Sequence, residues 1–203
     1  MMFILKDWYK ITFDGKILFE AHVLDPQIPY VPILITYSSP ARSRTKDRQK
    51  ALPCLGILLC YHDEEGRMVY NWSFDCDRRL SFMEIYNVDK YLYNRYGYHV
   101  CFVMRTAKGM HIYTNIESYN PNKVLKIAYK TAKIFHFDHH QVKLAKIRYQ
   151  ISRERDLAEF WGVLRLAGKY EKRDIFLYDV LHPECLNPWH KNILKLLGYV
   201  IWR

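Results

Sequence analysis

Residues 70–80 read YNWSFDCDRRL. Strand alternation sorts this run into two faces: Tyr70, Trp72, Phe74 and Cys76 on one, Asn71, Ser73, Asp75 and Asp77 on the other. The first face suits a core. The second is polar and ends in two carboxylates, roughly 7 Å apart along a strand. Two anions held together are unfavourable unless a cation lies between them. Hard oxygen ligands suit Mg²⁺ or Mn²⁺, and a pair of such ions activates an oxygen nucleophile against a phosphate. The plainer alternative is a polar strand end at the surface, with Arg78 and Arg79 paired to the acids.

Downstream, residues 81–97 predict a helix. Ser81 with Glu84 three residues on makes a capping box, and Gly97 supplies the stop. A strand over 98–105 follows, then the turn RTAKG, then a strand over 110–116. Thr106 offers a hydroxyl, Lys108 a point charge, and Gly109 a close approach of backbone to ligand. His111 and Tyr113 share one face of the second strand, Met110 and Ile112 the other. A histidine donor beside a lysine and exposed amides can hold a triphosphate; the alternative is a structural histidine in a half-buried strand. Helices are expected over 121–135 and 139–150, strands in FWGVLRLAG and DIFLYDVL, and a closing helix in NPWHKNILKLLGYV. Val163, Arg165, Ala167 and Lys169 share a strand face, where two cations require an anionic partner or solvent.

Upstream, residues 54–77 read as a hairpin around HDEEGR, with Gly66 closing the turn. Residues 8–23 read as another hairpin, turning at Asp14-Gly15, and 31–38 as a strand. Between them the run PARSRTKDRQKALP holds Arg42, Arg44, Lys46, Arg48 and Lys50. Such a loop either touches a phosphate backbone or is simply a solvated charge run. Hairpins mixed with crossover helices imply an α+β fold with a mixed or antiparallel central sheet flanked by helices. The whole chain reads as one domain: a β-rich part with a basic loop over 1–50, a core over 54–180, and a closing helix over 186–203.

The chain has 203 residues, half of them hydrophobic, which excludes a disordered chain. Its formal net charge of +10 favours a polyanionic partner, such as nucleic acid, nucleotides or an acidic surface. The five cysteines are odd in number and contain no C-x-x-C, which argues against a zinc ribbon or a disulfide framework. Buried thiols in a reducing, cytoplasmic setting are expected instead. Neither an apolar run of membrane-spanning length nor a signal-peptide pattern is evident.

FDCD, TAKGMHIY and LRLAGKYEK, in this order, resemble the motifs of the archaeo-eukaryotic primase superfamily, which includes replicative primase small subunits and primase-polymerases of plasmids and viruses. The resemblance spans about residues 55–170 and implies a primase-polymerase-like, RRM-like catalytic core. It implies Asp75 and Asp77 as metal ligands for Mg²⁺ or Mn²⁺, and Thr106, Lys108, Gly109 and His111 as a nucleotide seat. Arg165, Gly168 and Lys169 match the later arginine strand, small-residue turn and lysine. The family has a third acid after the histidine. Asp138, in IFHFDHHQ, is the first choice; Asp174 and Asp179 are reserves beyond the arginine strand. Partners implied are a single-stranded template, nucleoside triphosphates and other replication proteins. His136, His139 and His140 crowd Asp138, which suggests either a soft-metal site or polar residues at a helix start with Asp138 as its N-cap. Two further readings compete with a nucleotidyltransferase. One is a catalytically degenerate primase-fold accessory that binds nucleic acid. The other is a tyrosine-dependent initiator endonuclease, for which HIY and HFD each hold only half of the required histidine pair.

Overall fold

The computed structural model describes residues 4–13, 16–25, 33–36, 54–106, 109–154, 163–167 and 176–199; side-chain surroundings are described for most of 57–150 and 177–199, and for Leu164. The first strands are β1 (Ile4–Phe13), β2 (Lys16–Asp25), β3 (Ile33–Thr36) and β4 (Cys54–Leu58). β5 (Cys60–His62) and β6 (Met68–Cys76) lead to helix α1 (Phe82–Tyr96). β7 (Val100–Arg105), β8 (Met110–Ser118), α2 (Pro121–Ile134) and α3 (His139–Glu154) follow. β9 (Val163–Ala167), β10 (Phe176–Val180) and α4 (Pro188–Leu196) complete the described chain.

The strands make two five-stranded sheets, in the orders β1-β2-β3-β4-β9 and β10-β7-β8-β6-β5. Every described pairing is antiparallel. The α+β expectation holds, and of the two sheet types expected the antiparallel one is found. In the second sheet β6 and β7 lie on either side of β8 and are joined by α1, a split β-α-β unit. The hairpin expected over 54–77 is divided. Its first strand changes sheet at Leu59: β4 pairs with β3 and β9, while β5 pairs with β6. The first sheet therefore takes strands from both the 1–50 part and the 54–180 part. The Asp14-Gly15 turn lies outside the described residues.

The elements follow their sequence signals. Ser81 caps α1, its hydroxyl accepting from the Glu84 amide while the Glu84 carboxylate accepts from the Ser81 amide. Gly97 ends the helix at φ 74°, a left-handed conformation that costs glycine little. Ile85, Val88 and Leu92 recur at helical spacing and turn inward. α2 begins with Asn120 as cap and Pro121 at its first turn, and buries Val124, Leu125, Ala128 and Ala132. Phe74 meets Phe137 at 5.3 Å between ring centres, and α2 packs on β6 and β8.

Both faces of β6 are buried along most of its length: Asn71 and Ser73 are as enclosed as Trp72 and Phe74. The reason is a second layer. Tyr113, opposite Ser73 on β8, stacks on Phe102 at 4.2 Å and packs on Trp189 of α4 at 6.2 Å. The Trp189 indole donates to the Leu58 carbonyl, tying α4 to the strand junction. Cys60, Cys76 and Cys101 are buried and Cys185 is half-buried, none of them in a disulfide, as the composition implied.

Candidate active site

The register of the β6–β8 pair sets the geometry: Asp75 lies directly opposite His111, and Cys76 opposite Met110. Directly opposed residues in an antiparallel pair project to the same face, so the acid and the imidazole meet. His111 Nε2 is 3.5 Å from Asp75 Oδ1; the histidine is 6% exposed in its side chain and the aspartate 21%. Asp75 Oδ2 accepts from the Gln141 side-chain amide at 3.1 Å. The Asp138 amide donates to the Asp75 carbonyl at 3.4 Å. Three separate segments, around 75, 111 and 138, thus meet at one end of the second sheet. Tyr113 stands on the same face; burial, and after it the Asp75 charge, push its phenol pKa well up.

The turn from β7 to β8 is seated on the aspartate motif. A Cβ at Gly109 would stand 1.8 Å from the Cys76 carbonyl oxygen and 2.9 Å from the Asp77 carbonyl carbon. The close approach expected of Gly109 therefore exists, but what it approaches is the end of β6. Thr106 closes the same turn: its hydroxyl accepts from the Gly109 amide at 2.9 Å, and its amide donates to the Gly109 carbonyl at 2.9 Å.

The carboxylates are less well gathered than the backbone. Asp77 is exposed in the bend beyond β6. Asp138 caps α3, its Oδ1 accepting from the His140 amide at 3.0 Å, so the capping role is present. Asp179 accepts from the Val180 amide on β10. Arg78 pairs with Glu84 at 2.6 Å rather than with an aspartate. Among the described residues, one trio of His, Cys, Asp or Glu side chains has ligand atoms mutually within 4.8 Å: His99, His182 and Cys185, not Asp75, Asp77 and Asp138. As placed, these three acids do not form a site for Mg²⁺ or Mn²⁺. His136, His139 and His140 form no such trio either, although the His139 and His140 rings stack at 4.5 Å.

Arg165 lies on β9, opposite Gly56 of β4, and so belongs to the first sheet; its side chain is outside the described residues. Lys108, Gly168, Lys169 and Asp174 also fall outside them, as do Arg42, Arg44, Lys46, Arg48 and Lys50. Gln141 is a member of the site that sequence reasoning missed. The pattern Asp138-x-x-Gln141 is a capping-box signal, which points a glutamine back at its own helix start. Its amide nitrogen instead reaches a strand 66 positions away in the chain.

A groove of about 960 Å³ runs between α1 and α2, lined by Lys90, Arg95, Lys130 and Lys133 and by Tyr91, Tyr96 and Tyr129. A smaller hollow shares Asn87 and Ile134 with it and reaches Arg78 and His136. The two together lead along the helix pair toward the residue that follows Asp77.

No family model, no curated protein and no solved structure matches this chain.

Proposed function

We propose that the chain is a nucleotidyltransferase of the primase-polymerase kind, dependent on Mg²⁺ or Mn²⁺. It would join nucleoside triphosphates on a single-stranded template during replication of a mobile element or virus, with β6, α1, β7, β8 and α2 as its RRM-like core. The observation carrying this reading is the direct opposition of Asp75 and His111, with Asp138 hydrogen-bonded to the Asp75 backbone. In this reading His111 and the Thr106 hydroxyl hold the phosphates, and Lys108, Arg165 and Lys169 add positive charge. The groove between α1 and α2 carries the template by charge and by stacking on tyrosines. A metal site requires the Asp77 and Asp138 side chains to turn toward Asp75, so no chemical step is assigned to an ion here.

That same separation favours a second reading, a primase-fold protein without catalysis that binds nucleic acid as a replication accessory. One assay divides the two. Primer extension and de novo synthesis are measured with Mn²⁺ and labelled nucleotides, alongside binding of a single-stranded oligonucleotide. The first reading expects incorporation by the wild type and its loss in Asp75→Ala, with the circular dichroism spectrum kept. Binding without incorporation assigns the protein to the second reading. Incorporation by Asp75→Ala at the wild-type rate removes Asp75 from the chemistry, and neither binding nor incorporation overturns both readings.

A further inference from the structure

A second cluster of ligand-type side chains lies at the far end of the same sheet. His99 precedes β7, His182 follows β10, and Cys185 closes the short 3-10 turn Pro183–Cys185. One ligand atom from each lies within 4.8 Å of the other two. Asp89, a buried residue of α1, faces both rings: its Oδ1 is 3.1 Å from His99 Nδ1 and its Oδ2 is 3.3 Å from His182 Nε2. The Val100 amide donates to Asp89 Oδ1 at 2.8 Å, which fixes the carboxylate. The two imidazoles lie 4.1 Å apart between ring centres. Glu184 Oε1 is 2.8 Å from His182 Nδ1. The loop that carries His182 and Cys185 is itself anchored: the Leu181 and His182 amides both donate to the Cys101 carbonyl, and the Cys101 thiol donates to the Cys185 carbonyl.

We propose that His99, His182 and Cys185 form a structural transition-metal site of the kind that takes Zn²⁺, with Asp89 as its orienting carboxylate. Two imidazole nitrogens and a thiolate make a borderline-soft donor set, which suits Zn²⁺ and not Mg²⁺. The local spacing, His182-x-x-Cys185, lets one turn chelate the ion, and His99 comes from a distant segment, as closed structural sites require. Asp89 engages one nitrogen of each ring and leaves the other for the metal, the carboxylate–histidine–metal arrangement. For His182 the remaining nitrogen is Nδ1, the one that Glu184 faces. The ion fastens the α1–β7 junction to the link between β10 and α4, and so clamps the edge strand β10. The site is independent of the Asp75–His111 pair: Met104, opposite His111, is four residues along β7 from Val100, roughly 13 Å at strand rise.

The test uses the full chain, stripped with a chelator, reduced with a phosphine and checked for folding by circular dichroism. It is titrated with Co²⁺ and then with Zn²⁺. We expect one equivalent of Co²⁺ to bind with a thiolate-to-cobalt charge-transfer band and the visible bands of a tetrahedral ion, both removed by Zn²⁺. The charge-transfer band is lost in Cys185→Ser and kept in His140→Gln. His182→Gln weakens Co²⁺ binding at least tenfold. Zn²⁺ raises the thermal midpoint of the wild type and leaves that of Cys185→Ser unmoved. Folded wild type that takes up no Co²⁺, or a charge-transfer band that survives Cys185→Ser, overturns the site and leaves the cluster as two histidines paired to Asp89.

Discussion

At Gly109 a single missing side chain joins two sequence motifs. The glycine lies against the Cys76 and Asp77 carbonyl groups, with no room for a methyl group. The nearest atoms are backbone of a paired strand, so they do not move aside as a side-chain tip would. Gly109→Ala forces the turn away from the end of β6 and opens the register that sets Asp75 against His111. Overpacking of this kind costs about 1–3 kcal/mol, so urea unfolding of Gly109→Ala should show a loss of at least that size. Nucleotide binding should fall more than it does in Lys123→Ala, on the exposed side of α2. A variant as stable as the wild type would mean that the turn is not seated where the structure puts it. The residues of this corner are legible in the sequence as chemistry more than as geometry. Alternation places Asp75 and His111 on their correct strand faces, because it depends only on the period of a strand. It cannot show that the polar face of β6 is covered, since that cover comes from Trp189, more than a hundred positions downstream. Nor can it place Gln141, whose local pattern describes a cap.

The helices are the most readable elements because their signals are local. Ser81, Glu84 and Gly97 bracket α1 where the structure ends it, and Asn120 with Pro121 opens α2. The break between β4 and β5 leaves no such mark: Leu59 is an ordinary apolar residue inside an apolar run, and the change of sheet there is decided by which strands lie beside it. Facing surfaces of two helices are equally non-local. Lys90 and Arg95 on α1 and Lys130 and Lys133 on α2 are scattered in the sequence, yet they line one groove with three tyrosines between them. Lys133 lies over the Tyr129 ring at 5.7 Å from its centre. For a single strand, each phosphate that the protein neutralises steepens the fall of log K with log salt by roughly 0.7. The double variant Lys130→Glu, Lys133→Glu should therefore bind a single-stranded oligonucleotide more weakly, with a salt slope shallower by about 1.4. An unchanged slope, measured by fluorescence anisotropy between low and physiological salt, would place the nucleic acid elsewhere.

Across the molecule, α4 is the piece that closes the second layer over the sheet, and a buried histidine holds it. His190 donates from Nε2 to the Thr114 carbonyl at 3.1 Å and accepts from the Asn187 amide at Nδ1. Asn187 in turn caps the helix and also donates to Glu117 on β8. Burial pushes the His190 pKa down from 6.5 to about 3, against a smaller opposing effect of the Thr114 carbonyl. The neutral ring is thus the native form, and the unfolded chain takes up a proton below pH 6.5 that the folded chain refuses until about pH 3. Stability from this group is fully present above pH 6.5 and declines as the pH falls through that window, by up to about 1.4 kcal/mol per pH unit. Glu84 titrates in the same direction but lower, held down to about 2 by the Ser81 amide and by Arg78, and its contribution is common to any variant at position 190. Chemical denaturation at pH 7 and pH 5 isolates the histidine. His190→Gln keeps a hydrogen-bonding side chain without a proton to gain, so its loss of stability between the two pH values should be smaller than that of the wild type by about 2 kcal/mol. Equal losses in the two proteins would show that α4 is not seated on the sheet through a neutral imidazole.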